Sequence, residues 1–170
     1  MIGFPARDEA APYYFTYIDR IASADIVGVL ATQLDETLPL LEGISEQTSL
    51  VRYAPDKWSL RQVLNHINDT ERLFQLRAFW FARGFDSELP SFDQNVSANA
   101  AEADGLPWAR HVEEFRTVRQ STLSFLHNLP AEAWMRRGIA SGNPFTVRAL
   151  AYIAAGHVAH HIAIVQDRYL

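Results

Sequence analysis

The chain contains no cysteine, which removes disulfide bonds, thiolate metal ligands and cysteine nucleophiles from its possible chemistry. It has no excess of positive charge, since 15 Lys and Arg stand against 20 Asp and Glu, for a formal net charge of -5. Nucleic-acid binding relies on basic surface, so we expect no nucleic-acid partner. No uninterrupted apolar run approaches the ~20 residues that cross a bilayer, so we expect no membrane partner either.

The N-terminal stretch lacks the charged start and apolar middle of a secretory signal, because Arg7 is followed by Asp8 and Glu9. With the absence of cysteine, this predicts a cytoplasmic protein. A length of 170 residues with 48% hydrophobic composition suits one domain with a single core. We therefore expect one domain over residues 1–170, with 1–20 as an N-terminal extension.

Apolar residues recur at helical spacing almost throughout the chain, and no segment alternates as a strand does. Ser59 and Gln62 match the capping box that begins a helix, and Thr146 is a candidate cap for the last helix. The predicted helices span 25–41, 59–84, 107–127 and 147–169. Four helices of this length in one domain predict an all-α fold, a four-helix bundle.

The connection 85–105 is rich in Asp, Ser, Asn, Gly and Pro, and a short helical turn is expected within it around 94–102. A connection this long inside a compact domain is uncommon and tends to be functional. The composition does not define the conformation of this segment or of the loop 130–145. Both are expected to shape any pocket.

Three histidines lie close together in the last predicted helix, within GHVAHHIAIV (156–165). His157 and His161 fall on its inward stripe, one turn apart, and His160 lies on the neighbouring strip. His66 lies on an inward stripe of the second helix. Buried imidazolium ions are costly and repel one another, while buried neutral imidazoles need partners for both ring nitrogens. A divalent metal satisfies that need, so we predict a metal site formed by His66, His157 and His161.

Three imidazoles from two helices suit zinc best, with bonds of ~2.0–2.1 Å, and nickel, iron or manganese also accept such a set. Asp69, three residues after His66, and His160 are candidates for contacts with the ligating rings. The alternative is that Asp69 belongs to a solvated charged face and that each histidine is a packed core or rim residue. We assign that structural role to His111 and His127, at the two ends of the third helix.

The stretches YAPDKWSLRQVLNHINDTERLF (53–74) and GHVAHHIAIV resemble the DinB/YfiT-like family of proposed metalloenzymes. A helix that starts at Trp-Ser with a histidine seven residues after the serine is typical of this family, as is a His-x-x-His-His run near the C-terminus. The resemblance extends from about residue 20 onward. It implies a bundle with a long crossover between the second and third helices, here 85–105, and a divalent metal on His66, His157 and His161.

Known relatives include thiol-dependent transferases and isomerases, in which a low-molecular-weight thiol is activated at the metal, and homodimers are frequent. The resemblance thus implies a small-molecule substrate, a thiol cofactor and a homodimer. Relatives often carry glutamine three residues after the last ligand, where this chain has Ile164. Three protein ligands leave an open metal position, which favours catalysis over a structural ion. We expect a metal-dependent S-transferase or isomerase; the alternatives are a metal-dependent hydrolase and a non-catalytic metal- or ligand-binding bundle.

Overall fold

The computed structural model describes residues 2–170, which form six α-helices and one β-hairpin. Four short 3₁₀ segments lie in the connections. The elements are α1 (Phe15–Ile18), α2 (Ile26–Glu42), α3 (Leu60–Ala82), α4 (Gln94–Ala100), α5 (Trp108–His127), β1 (Arg137–Ala140), β2 (Asn143–Thr146) and α6 (Val147–Arg168).

The long helices α2, α3, α5 and α6 form the predicted four-helix bundle, and each begins and ends within two residues of the expected position. Helix α3 packs against α5 and α6, and α2 packs against the same two helices. Helices α2 and α3, although consecutive among the four, therefore lie diagonally across the bundle. The interior face shared by α3 and α6 is the one that receives the histidines.

Side-chain caps fix the starts of the two helices that carry these histidines. The Ser59 hydroxyl accepts a hydrogen bond from the Gln62 amide at 3.1 Å, and the Gln62 side chain accepts one from the Ser59 amide at 3.0 Å. The Thr146 hydroxyl accepts from the Ala149 amide at 3.0 Å. Both caps were predicted, and together they set the registers of α3 and α6.

The apolar core is interrupted at the level of the histidines. One cluster of buried side chains includes residues from 147–155 of α6 and 74–82 of α3, while the other includes residues from 60–67 of α3 and, on α6, Val158 and Val165. His157 lies between the two clusters on α6. The bundle is therefore packed with hydrocarbon on either side of a polar layer.

Helix α6 is long and apolar enough to cross a membrane by length and composition, but 61% of its most apolar window is buried inside the protein. Packing within the bundle therefore covers much of its apolar surface.

The hairpin of β1 and β2 was not predicted from the sequence. Its two-residue turn, Ser141-Gly142, has φ values of 54° and 70°, the left-handed geometry of a tight hairpin. Strands of four residues are too short for alternation to be recognised, although Ser-Gly is a turn signal. Leu89 of the crossover hydrogen-bonds to this hairpin, through Ile139 and Ser141, each at 3.0 Å. The hairpin thus anchors the first part of the crossover.

The middle of the crossover is held against α3. The expected helical turn is present as α4, capped by Asp93, whose carboxylate accepts from the Asn95 amide at 2.8 Å and the Val96 amide at 3.2 Å. The Ser97 hydroxyl donates to Asp69 of α3 at 2.8 Å. The crossover consequently lies over the part of α3 that follows His66.

The N-terminal extension packs closely along α6. The buried Glu9 carboxylate accepts from the Thr146 hydroxyl at 2.7 Å and from Arg148 Nε at 3.0 Å. A Cβ at Gly156 would lie 2.1 Å from the carbonyl oxygen of Tyr17, so only glycine permits this approach. The extension is therefore fixed against the helix turn that carries His157.

We predict that Gly156→Ala lowers the free energy of unfolding by about 1–3 kcal/mol. The new methyl group clashes with the Tyr17 backbone, and the cost of this clash exceeds the stability that alanine gains over glycine in a helix. Urea denaturation measures the change. Gly105→Ala is the matched control, since a Cβ there has no heavy atom within 4 Å, and it should change stability by less than about 0.5 kcal/mol. Equal stability of the two variants would contradict the close packing.

Candidate metal site

Helices α3 and α6 bring His66, His157 and His161 together. One ring nitrogen from each lies within 4.8 Å of the others, and the Nε2 atoms of His66 and His157 are 3.1 Å apart. Two nitrogens on one tetrahedral ion with bonds of ~2.0–2.1 Å are separated by about 3.3 Å. The spacing therefore allows the three imidazoles to hold a metal ion.

Burial keeps these imidazoles neutral. His66 and His157 are only 5% and 4% exposed, and His161 is half-buried. Burial lowers the pKa of His66 to about 4, and burial together with the neighbouring histidines lowers the pKa of His161 to about 3 and that of His157 well below its ordinary value. Neutral imidazole is the form that binds metal, so the site is ready for an ion at neutral pH.

Thr70, which the sequence analysis did not single out, orients His157. Its hydroxyl lies 2.6 Å from the backbone oxygen of His66 and 3.3 Å from Nδ1 of His157. Because the single hydroxyl proton is donated to the carbonyl, the oxygen accepts from an Nδ1–H of His157. The lone pair of His157 then lies on Nε2, the nitrogen beside His66. The position of Thr70, one turn after His66 on the same face, was the available sequence signal.

Aromatic side chains surround the cluster. The Tyr17 ring meets His157 edge-on at 5.3 Å and His160 at 5.6 Å, and Trp58 lies 5.0 Å from His66, between ring centroids. Burial raises the pKa of Tyr17 above its ordinary value, so it stays a neutral phenol. The N-terminal extension thus contributes a wall of the site, a role that sequence analysis missed and that Gly156 beside His157 could have indicated.

His160 lies beside the cluster. Its ring is half-buried and contacts His161 at a centroid distance of 5.0 Å. Burial, and then the positive charge of Arg20, lower the pKa of His160. His160 contacts the His161 ring, but it is not one of the three histidines whose nitrogens lie within 4.8 Å of one another.

Asp69, the other candidate for contact with the ligating rings, has a different role. Its carboxylate accepts from Asn65 at 3.0 Å and from Ser97 at 2.8 Å, and it lies 3.6 Å from Arg72. Within residues 2–170, no hydrogen bond joins it to His66, and its contact with Arg72 favours the alternative of a charged face. Three residues of helix rotate Asp69 toward the crossover, and it fixes α4 in place.

His111 and His127 make the structural contacts expected of them. His111 is buried, with Nε2 3.0 Å from the backbone oxygen of Ala103, and His127 Nδ1 lies 2.8 Å from that of Leu123. Neither belongs to the histidine cluster.

Two cavities reach the cluster. One of about 150 Å³ is lined by His66 and His157, and one of about 260 Å³ is lined by His161. Gln94, at the start of α4, lines both. The crossover therefore separates two openings onto the same three imidazoles.

The lowered pKa values predict that the metal-free protein loses stability as pH falls. Between the unfolded pKa of 6.5 and the folded value of about 4 for His66, the unfolded chain binds the extra proton, so unfolding becomes easier by up to about 1.4 kcal/mol per pH unit for each such histidine. Denaturation of the metal-free chain from about pH 7 to pH 5 measures the slope. His66→Asn should remove one histidine's contribution to the slope of unfolding free energy against pH. An unchanged slope in this variant would contradict the burial of His66 as a neutral group.

Comparison with known proteins places the fold. The sequence model of the DinB superfamily matches residues 30–165. The structure of YfiT from Bacillus subtilis, described as a probable metal-dependent hydrolase with an unusual four-helix bundle topology, superposes with a TM-score of 0.74 at 14% identity, over 97% of this chain and 91% of that one.

A mutant of the mycothiol-dependent maleylpyruvate isomerase superposes with a TM-score of 0.68 at 9% identity. The match covers 85% of this chain but 61% of that protein, so this chain spans about three-fifths of its length. No curated protein sequence matches significantly. At these identities the structural likenesses establish the shared fold. Because the family model covers most of the sequence, the chain belongs to the DinB superfamily.

Proposed function

We propose that the protein is a divalent-metal-dependent enzyme acting on a small molecule, with His66, His157 and His161 as the metal ligands. The observation that supports this is the convergence of three neutral imidazole nitrogens within 4.8 Å of one another, beside open cavities. A purely structural zinc site normally has four protein ligands, whereas three leave a position for a substrate.

The residues present fit such an ion. We infer zinc, because three imidazoles with one open position form a common catalytic zinc arrangement, while nickel, iron and manganese accept the same donors. An ion held there supplies a Lewis acid that lowers the pKa of a bound thiol or water. Thr70 holds the His157 tautomer, and the Tyr17 and Trp58 rings pack against His157 and His66.

The arrangement favours a thiol-dependent S-transferase or isomerase. The cavities at His157 and at His161 share Gln94 alone among their lining residues, which suits two reactants that approach from different sides. No carboxylate lines the cavity at His157 within residues 2–170, so no side-chain base of that kind is available there to activate water. A low-molecular-weight thiol needs no such base, and the fold is shared with a mycothiol-dependent isomerase.

A hydrolase is the second candidate, supported by the structural likeness to YfiT. Asp56 lines the larger cavity and would be its acidic group, but its carboxylate is 3.0 Å from the ammonium group of Lys57 on the surface. Turnover of ester or amide substrates without added thiol would favour the hydrolase.

A non-catalytic metal-binding protein is the third candidate. Unfolding of the protein on chelation of the metal, without any turnover, would support it.

We also propose that the protein works in the cytoplasm as a homodimer, with small molecules as its partners. The family resemblance supports the dimer, and the exposed apolar side chains Leu76, Phe79 and Phe85 on and after α3 are available for such a contact. Sedimentation of the purified chain tests the oligomeric state.

We predict that the purified chain binds about one zinc ion and that His157→Ala abolishes this binding, since two imidazoles remain. Metal analysis after dialysis against zinc measures it, together with turnover of electrophiles in the presence of small thiols. His127→Ala is the matched control because that histidine lies outside the cluster. Loss of zinc from both variants, or from neither, would contradict the assignment.

We further predict that Thr70→Val weakens zinc affinity about 10–100-fold, because the isosteric side chain cannot accept the His157 Nδ1 proton. Competition with a chromophoric chelator measures the affinity. Thr117→Val, at an exposed position of α5, is the control and should bind zinc as the unmodified protein does. Unaltered affinity in the Thr70 variant would show that the hydroxyl does not orient the ligand.

A further inference from the structure

A single arginine shares the smaller cavity with the histidines. Arg77 lies three turns after His66 on α3, is only 2% exposed, and lines the cavity with His66 and His157. The guanidinium stays charged at any physiological pH. A permanent cation is therefore buried beside the proposed metal site.

No acidic side chain among residues 2–170 neutralises this cation. Its hydrogen bonds come from Nη2, to the Ser141 hydroxyl at 2.9 Å and the backbone oxygen of Pro90 at 3.4 Å, and both acceptors are uncharged. Its buried Nε has no partner among residues 2–170. No ion pair within the described chain includes Arg77, and no carboxylate lines the cavity. The guanidinium therefore keeps at least one buried donor without a partner among the described residues.

The other fully buried arginine shows what a structural role looks like. Arg119 donates from Nε and Nη2 to the two carboxylate oxygens of Glu71 at 2.7 and 2.8 Å, and also bonds Gln33 at 2.8 Å. A buried charge without such a partner is destabilising. An anion that enters the cavity would supply the partner that Arg77 lacks among the described residues.

We propose that Arg77 binds a carboxylate of the substrate, so that the enzyme acts on small carboxylic acids. The planar guanidinium fork matches a carboxylate with two parallel hydrogen bonds. The proposal that the other end of this acid reacts at the histidines rests on the proposed metal-dependent function. The binding of the carboxylate at Arg77 does not.

The cavity also sets the shape of this acid. Along α3 the Cα atoms of His66 and Arg77 are roughly 16 Å apart at 1.5 Å per residue, and an arginine side chain in a helix reaches back toward the N-terminus. Leu73 and Phe74 line the wall between them. The ligand is thus a short molecule with a carboxylate at Arg77, an apolar middle and a reacting group at the histidines.

The test compares butyrate with butyramide, its neutral counterpart, on the full chain with and without zinc. In the metal-free protein Arg77 is the only permanent cation among the described residues that line the cavity, so butyrate should raise Tm and butyramide should not. Arg77→Met should weaken butyrate binding by at least about tenfold, and Arg77→Lys, which keeps the charge without the fork, should bind with intermediate affinity. Zinc content of each variant is measured in parallel and should be unchanged.

The stability of the free variants separates recognition from structure. Without ligand, Arg77→Met should keep or raise Tm, because an uncompensated buried charge is removed, whereas Arg119→Met should lower it strongly by leaving Glu71 unpaired. Equal butyrate affinity in the Arg77→Met variant, a Tm loss as large as that of the Arg119 variant, or tighter binding of inorganic phosphate than of butyrate would each overturn the proposal. Absence of zinc binding with butyrate recognition intact would overturn the metal assignment alone.

Discussion

Much of the structure depends on the packing of three imidazoles, two buried and one half-buried, between α3 and α6. Each ring loses water when the bundle forms, and burial lowers the pKa values so far that protonation would oppose folding. Their nitrogens face one another, with 3.1 Å between His66 and His157, in a layer where the apolar core is interrupted. A ligand bound by the nitrogen lone pairs would offset the cost of this polar layer. Other segments of the chain hold the three rings in position.

The support comes from segments outside the four long helices. The N-terminal extension places Tyr17 against His157, with Gly156 permitting the contact. The crossover is tied to α3 through Asp69 and Ser97, and its Gln94 faces both cavities. These shorter segments thus complete the pocket, while the long helices hold the histidines at fixed separation.

Much of this could be predicted from the sequence because helical periodicity is strong and local. The bounds of the four helices, the caps at Ser59 and Thr146, and the convergence of His66 with His157 and His161 all follow from spacing on amphipathic helices. Two roles were left open for Asp69, and its contacts with Asn65 and Ser97 link it to the crossover. The contacts of Tyr17, Arg77 and the hairpin depend on tertiary packing of irregular segments, which no local period encodes.

In the proposed site, nitrogens from α3 and α6 share one divalent ion. X-ray absorption at the zinc edge of the zinc-loaded protein tests it most directly. We expect about three imidazole nitrogens at ~2.0–2.1 Å, with a further light-atom ligand from solvent or substrate. A spectrum of zinc with one or no imidazole ligand, as for an ion held loosely at the surface, would contradict it.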